Sequence, residues 1–157
     1  AASDVYKRQC QYTNLCAVCQ AQLRIMKVRY PKPGIVYKGA IPVAEIALNT
    51  SDKYLTILIS ALLGNAYKFT QEGTISLECD RLGDDRVFVA VADTGCGIPP
   101  EKHGYVFERF TKLDPFSQGN GLGLYLCRLI VTHLHGEIYI DSGYTGGTRI
   151  VAILPRR

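Results

Sequence analysis

Apolar positions recur every three or four residues in three stretches of the chain and every second residue in several others. In residues 12–28 the apolar side chains Leu15, Val18, Cys19, Leu23 and Met26 fall on one helical face, and Pro31 and Pro33 forbid continuation. The pattern predicts a first helix there. Residues 34–41 and 45–48 are short apolar or β-branched runs separated by Pro42, which predicts two short strands or a strand and an extended linker. Asn49, Thr50, Ser51 and Asp52 offer several helix N-caps, and Leu55, Leu58, Ile59, Leu62 and Leu63 form the stripe of a second helix running to Phe69. Residues 73–81 and 86–92 alternate like strands, and the intervening Leu82-Gly-Asp-Asp85 predicts an antiparallel hairpin. An irregular, glycine-rich stretch over 93–120 holds one short helical piece at 102–110. A third long helix is predicted from Leu122 to His135 with Gly136 as its C-terminal cap, followed by strands at 137–141 and 149–154.

Helices and antiparallel strands are therefore mixed rather than strictly alternating. The expected class is α+β, a two-layer α/β sandwich with three main helices on one face of a mixed, largely antiparallel sheet. The chain has 157 residues, 47% hydrophobic and 20% charged, which suits a single globular domain. A chain of this size buries roughly 68–70% of its unfolded surface, enough for a core without disulfides or a structural metal. The longest apolar run, Tyr54 to Leu63, falls short of the ~20 residues of a membrane-spanning helix, so no membrane contact by this segment is expected. Eighteen basic against fourteen acidic side chains give a net charge of +4, but the charges are scattered, which argues against nucleic acid.

Six cysteines are present, and Cys79 and Cys127 lie in apolar-patterned segments where a buried thiol is ordinary. Cys16 and Cys19 have zinc-ligand spacing, yet no second pair answers them, and a structural role is favoured. The first nine residues share no periodicity with the rest and are expected to be non-native or disordered, leaving a domain over 10–157 and a native chain that extends further upstream.

Three features carry chemistry. Gly64-Asn65 interrupts the most apolar helix at a propensity cost of about 1.5 kcal/mol, and Asn65 and Lys68, three apart, share a face. An amide oxygen beside an ammonium suits Mg²⁺ and phosphate, although a solvated polar face would look the same. Asp93-Thr-Gly-Cys-Gly-Ile98 follows an apolar strand; its carboxylate can accept from an exocyclic amine, and its glycines admit a flat ligand, as a plain turn also would. Gly119-Asn-Gly-Leu-Gly123 leads into a helix whose free N–H groups favour an anion. No strand precedes it, so it does not fit the dinucleotide-binding arrangement.

In this order the pieces resemble the catalytic, ATP-binding domain of bacterial sensor histidine kinases, in the superfamily shared with gyrase B and MutL (GHKL, with the Bergerat-type ATP-binding fold). LISALLGNAYKFT is similar to the N box, VADTGCGI to the first glycine box, FERF to the F box, GNGLGL to the second glycine box and TGGT to the final glycine motif. The resemblance implies that Asn65 holds Mg²⁺, that Lys68 and Lys112 reach the phosphates, and that Asp93 binds the adenine amine in a pocket shaped by Gly95 and Gly97. It implies that Phe69 and Ile98 line the base, that residues 111–120 form the ATP lid, and that Gly119, Gly121, Leu122 and Gly123 face the phosphates while Thr148 supports the adenine end. For Phe107 and Phe110, packing is expected over ligand contact.

The expected function is that of the kinase's catalytic domain, with ATP and Mg²⁺, donating a γ-phosphoryl group to a histidine on an upstream dimerisation and phosphotransfer domain, with a response-regulator receiver downstream. The water-splitting ATPases and serine kinases of the superfamily carry a glutamate four residues before the N-box asparagine; Ala61 stands there. Water and serine need that base, whereas a neutral imidazole already has a nucleophilic lone pair. Ala61 also motivates the alternative of a nucleotide-binding or docking module of a degenerate kinase without transfer activity. His103, expected to be solvated, and His133 and His135 at a helix end receive no role. A monomeric fragment in the cytoplasm is expected, with the full-length protein open to anchoring in the inner membrane.

Overall fold

In a computed structural model, residues 12–103, 106–108 and 123–157 are described. They form β1 (Tyr12–Asn14), α1 (Leu15–Arg29), β2 (Ile35–Ala40), β3 (Ala47–Asn49), α2 (Asp52–Phe69), β4 (Gly73–Leu82), β5 (Arg86–Asp93), a 3₁₀ turn (Pro100–Lys102), α3 (Gly123–His133), β6 (Glu137–Ile140) and β7 (Thr148–Pro155). The main sheet has the order β2-β4-β5-β7-β6. β2 runs parallel to β4, and every other pair is antiparallel. A separate two-stranded ribbon pairs β1 with β3.

Alternation in the strands sets the inner face. Ile75, Leu77 and Cys79 of β4, Val87, Val89 and Val91 of β5, and Ile150, Ala152 and Leu154 of β7 are buried. Against them pack Leu15, Cys19 and Leu23 of α1, Leu55, Leu58, Ile59, Leu62 and Leu63 of α2, and Leu124, Cys127 and Ile130 of α3. Three helices on one face of a mixed sheet is the expected sandwich. On the opposite face Arg149 of β7 bridges Glu78 of β4 at 2.9 Å, across the intervening β5, and Asp141 just after β6 at 3.0 Å.

Several boundaries differ from expectation. The first helix starts at Leu15 rather than at residue 12, because residues 12–14 pair with β3 and Asn14 caps the helix, its side chain accepting from the Cys16 amide at 3.2 Å. Among the four candidate caps of α2, Ser51 is used, its hydroxyl accepting from Tyr54 N at 3.2 Å. The short helix expected at 102–110 is a single 3₁₀ turn at Pro100–Lys102, since Pro99 and Pro100 fix its start; residues 106–108 are non-helical, and the remainder lies outside the described residues.

The end of α3 also differs. The left-handed residue is His135 (φ 63°), and Gly136 N donates to Val131 O at 2.8 Å. Gly136 is required for another reason: a Cβ there would lie 2.2 Å from Ile153 O, where β7 passes.

The thiols at 16 and 19 sit on the buried face of α1 against Cys79 of β4. Burial, with the Cys79 thiol beside it, pushes Cys16 up to about 11. Hydrogen bonding to Cys19 and burial push Cys79 far up as well. Cys16 and Cys79 are protonated core side chains, and among the described residues no cluster of His, Cys, Asp and Glu gathers to hold a metal.

Candidate nucleotide site

The site forms where β5 and α2 end and β7 begins. β5 closes on Asp93, which faces Ile75 of β4 on one side and Thr148, the first residue of β7, on the other. Asp93 is 5% exposed and Thr148 7%. The Asp93 Oδ1 atom accepts from Gly95 N at 2.9 Å, turning the chain sharply. Burial raises the carboxyl above the usual aspartate range, and hydrogen bonds from the Gly95 and Thr148 backbone offset part of the rise.

The glycines do what only glycine can at three positions. A Cβ on Gly95 would lie 2.3 Å from Phe69 O, because the end of α2 presses against the loop. Gly97 has φ +75°, and Gly147 has φ +153° with Asp93 O only 1.9 Å from where its Cβ would be. The two glycine loops can therefore stack backbone to backbone. Between them opens a cavity of about 420 Å³ lined by Gly95, Cys96, Gly97, Ile98, Pro99 and Gly146 with Gly147. Its walls are largely main chain, which suits a planar, polar-edged ligand.

Further contacts hold the loops in place. Tyr144 Oη donates to Asp93 O at 3.2 Å, Thr94 Oγ1 accepts from Thr74 N at 2.9 Å, and the His103 ring Nε2 lies 2.8 Å from Ile98 O. His103 is thus tied to the cavity wall rather than simply solvated. The contacts of these three residues were not foreseen: Tyr144 and Thr94 meet partners 51 and 20 positions away, and His103, only five residues from Ile98, stands in no recognised motif.

On α2, Asn65 is half-buried at the border of the stripe that holds buried Leu62, Leu63 and Ala66, and Lys68 is exposed. The Lys68 ammonium is 5.5 Å from the centre of the Phe69 ring. Lys32 Nζ donates to Thr70 O at 3.1 Å, placing a cation on the last carbonyls of α2. Phe69 and Ile98 are half-buried, and among the described residues nothing lies within 4 Å of where a Cβ on Gly123 would be. Phe107 packs on the core beside buried Val106, in line with the packing role expected for it. Lys112, Gly119, Gly121, Leu122 and Phe110 lie outside the described residues.

Residues 50–157 match the family described as histidine kinase-, DNA gyrase B- and HSP90-like ATPase. The chain belongs to this family. It is 33% identical over 152 residues to the adaptive-response sensory kinase SasA of Gloeothece citriformis, covering 94% of this chain and 39% of that protein. It is 31% identical over 139 residues to the histidine protein kinase DivJ of Caulobacter vibrioides, covering 87% of this chain and 23% of that one. Among solved structures, the mycobacterial sensor histidine kinase MprB superposes with a TM-score of 0.80 at 24% identity, covering 94% of this chain and 98% of that one. The nucleotide-free catalytic domain of the histidine kinase ThkA superposes with a TM-score of 0.83 at 21% identity, covering 94% and 96%. The shared fold is thus that of a histidine-kinase catalytic domain. The chain spans well under half the length of the two curated relatives.

Proposed function

We propose that this domain, over residues 10–157, binds Mg-ATP and donates its γ-phosphoryl group to a histidine on an upstream dimerisation and phosphotransfer domain. The observation that carries this reading is Asp93. It is a buried carboxylate at a strand end, beside a main-chain-walled cavity that a planar base can enter, and it can accept a hydrogen bond from an exocyclic amine. Asn65 supplies a hard oxygen donor and fits Mg²⁺, which is commonly held by few protein groups together with substrate phosphates and water. The ion would neutralise phosphate charge. Lys68, exposed on the same side of α2, is the cation for the phosphates, with Lys112 as its partner. Phe69 and Ile98 would flank the base, Gly95, Gly97 and Thr148 its amine end, and Gly119, Gly121, Leu122 and Gly123 the phosphates.

The transfer breaks the bond between the γ-phosphorus and the β–γ bridging oxygen and forms a phosphorus–nitrogen bond to the acceptor imidazole. ADP leaves, and the imidazole proton passes to solvent. Positioning and charge stabilisation carry such a reaction, and an imidazole acceptor needs no base at the position of Ala61. The phosphohistidine would then serve a response-regulator receiver. A cytoplasmic location follows from the need for ATP, and among the described residues no helix is long and apolar enough to cross a membrane.

Calorimetric titration with a non-hydrolysable ATP analogue and Mg²⁺ tests the binding step. Saturable binding is expected, lost in Asp93→Asn and weakened in a metal-dependent way in Asn65→Ala. Adding an active acceptor domain and ATP tests the transfer step. Formation of phosphohistidine is expected; binding without transfer would favour the docking-module reading that Ala61 motivates.

A further inference from the structure

Thr70 ends α2 and is fully buried, and its hydroxyl oxygen has no hydrogen-bond partner among the described residues. Leaving a buried hydroxyl unpaired is costly, and native sequences avoid it where an apolar isostere such as valine fits equally well. The hydroxyl is not in an arbitrary place. Thr70 Oγ1 and Asp93 Oδ1 lie 3.0 and 3.1 Å from the single point where a Cβ on Gly95 would be, so the two oxygens flank the same glycine and are within one water's reach of each other.

We propose that Thr70 is a positioning residue for Asp93, its hydroxyl acting through one bridging water to keep the carboxylate ionised and turned to accept from the base. The proposal rests on the nucleotide reading above and adds a residue to it.

The surroundings make such a donor useful. Asp93 faces Ile75 on β4, Thr148 on β7, and Tyr144 of the loop before β7, whose hydroxyl is spent on the Asp93 main-chain oxygen. At the end of α2, the Lys32 ammonium donates to Thr70 O, and Lys68 is exposed. Burial disfavours the charged carboxylate, and the hydrogen bonds that counter it come from the Gly95 and Thr148 backbone. A third donor, the water bridging from Thr70, would act in the same direction.

Two measurements test this. Carbon-13 NMR of the Asp93 carboxyl, in nucleotide-free protein, follows its titration in the unmutated chain, Thr70→Val, Thr70→Ala and Thr70→Ser. Removing the hydroxyl is expected to raise the midpoint by about one pH unit in both Val and Ala variants, with Ser restoring it. Calorimetry with a non-hydrolysable ATP analogue across pH is expected to show the same displacement: affinity falls as pH drops through the Asp93 titration, and in Thr70→Val the fall begins at higher pH.

A folded Thr70→Val or Thr70→Ala protein with an unmoved Asp93 midpoint would overturn the proposal. An unmutated chain that binds no nucleotide, with the NMR shift still present, would instead sink the nucleotide reading and leave the Thr70–Asp93 coupling standing.

Discussion

Asp93 bears opposite burdens in stability and in binding. Its carboxyl is raised in the folded protein by burial, so protonation favours the folded state. The associated stability is full below the unfolded value near 3.8 and is lost as pH rises through the raised folded value. Asp93→Asn should therefore be more stable than the unmutated chain at neutral pH, with the difference fading as pH falls towards 4, while binding no nucleotide. Denaturant melts at several pH values, beside calorimetry, would show both. Gly147→Ala should cost about 3 kcal/mol or more, since its Cβ would strike Asp93 O and its φ is +153°; equilibrium unfolding measures this.

At the same scale, Asp93, Gly95 and Gly97 were legible because a carboxylate after an apolar strand, followed by alternate glycines, is a local pattern. Thr70, Tyr144 and His103 were not. Tyr144 reaches Asp93 across 51 positions, and nothing in the spacing of a lone tyrosine in a glycine-rich loop announces that contact.

The elements were readable where periodicity was long and unreliable at their ends. α2 runs to Phe69 as its apolar stripe requires, but four residues offered themselves as its cap, and Ser51 serves. Ser51→Ala should destabilise the domain by about 1 kcal/mol with nucleotide affinity unchanged, because the cap lies at the end of α2 far from Asn65, Lys68 and Thr70. At the end of α3, glycine reads naturally as the left-handed cap, yet the chain places His135 there and reserves Gly136 for the close passage of β7. His135→Gly should then stabilise by roughly 0.5–1 kcal/mol, and Gly136→Ala should destabilise by more than that, both read from thermal or denaturant melts. Exchanging the two expectations would show that the cap, and not the crossing strand, demands the glycine.

For the molecule as a whole, the candidate site is assembled from three places far apart in sequence: the end of α2, the loop after β5 and the loop before β7. Occupying it should therefore couple to global unfolding. A ligand at 100 times its Kd adds about 2.7 kcal/mol to the stability of the folded state, which for a chain of this size raises Tm by about 5–10 °C. A thermal shift of that order with the ATP analogue, absent in Asp93→Asn, is the expected outcome. A shift of equal size in Asp93→Asn would place the ligand elsewhere.

The sequence by itself determined the layer architecture, because helical and strand periods in the burial of apolar side chains are properties of neighbouring residues. It also determined the family, since five short motifs stand in one order along the chain. What only the tertiary structure decided were the close approaches and polar partners that no periodicity pairs. These are the Asp93 carbonyl, 1.9 Å from where a Gly147 Cβ would be, the His103 ring on Ile98 O, and the Thr70 hydroxyl beside Asp93, unpartnered among the described residues. The reason is physical: periodicity records which side of an element is buried, whereas the partner of a buried polar atom depends on how the elements dock.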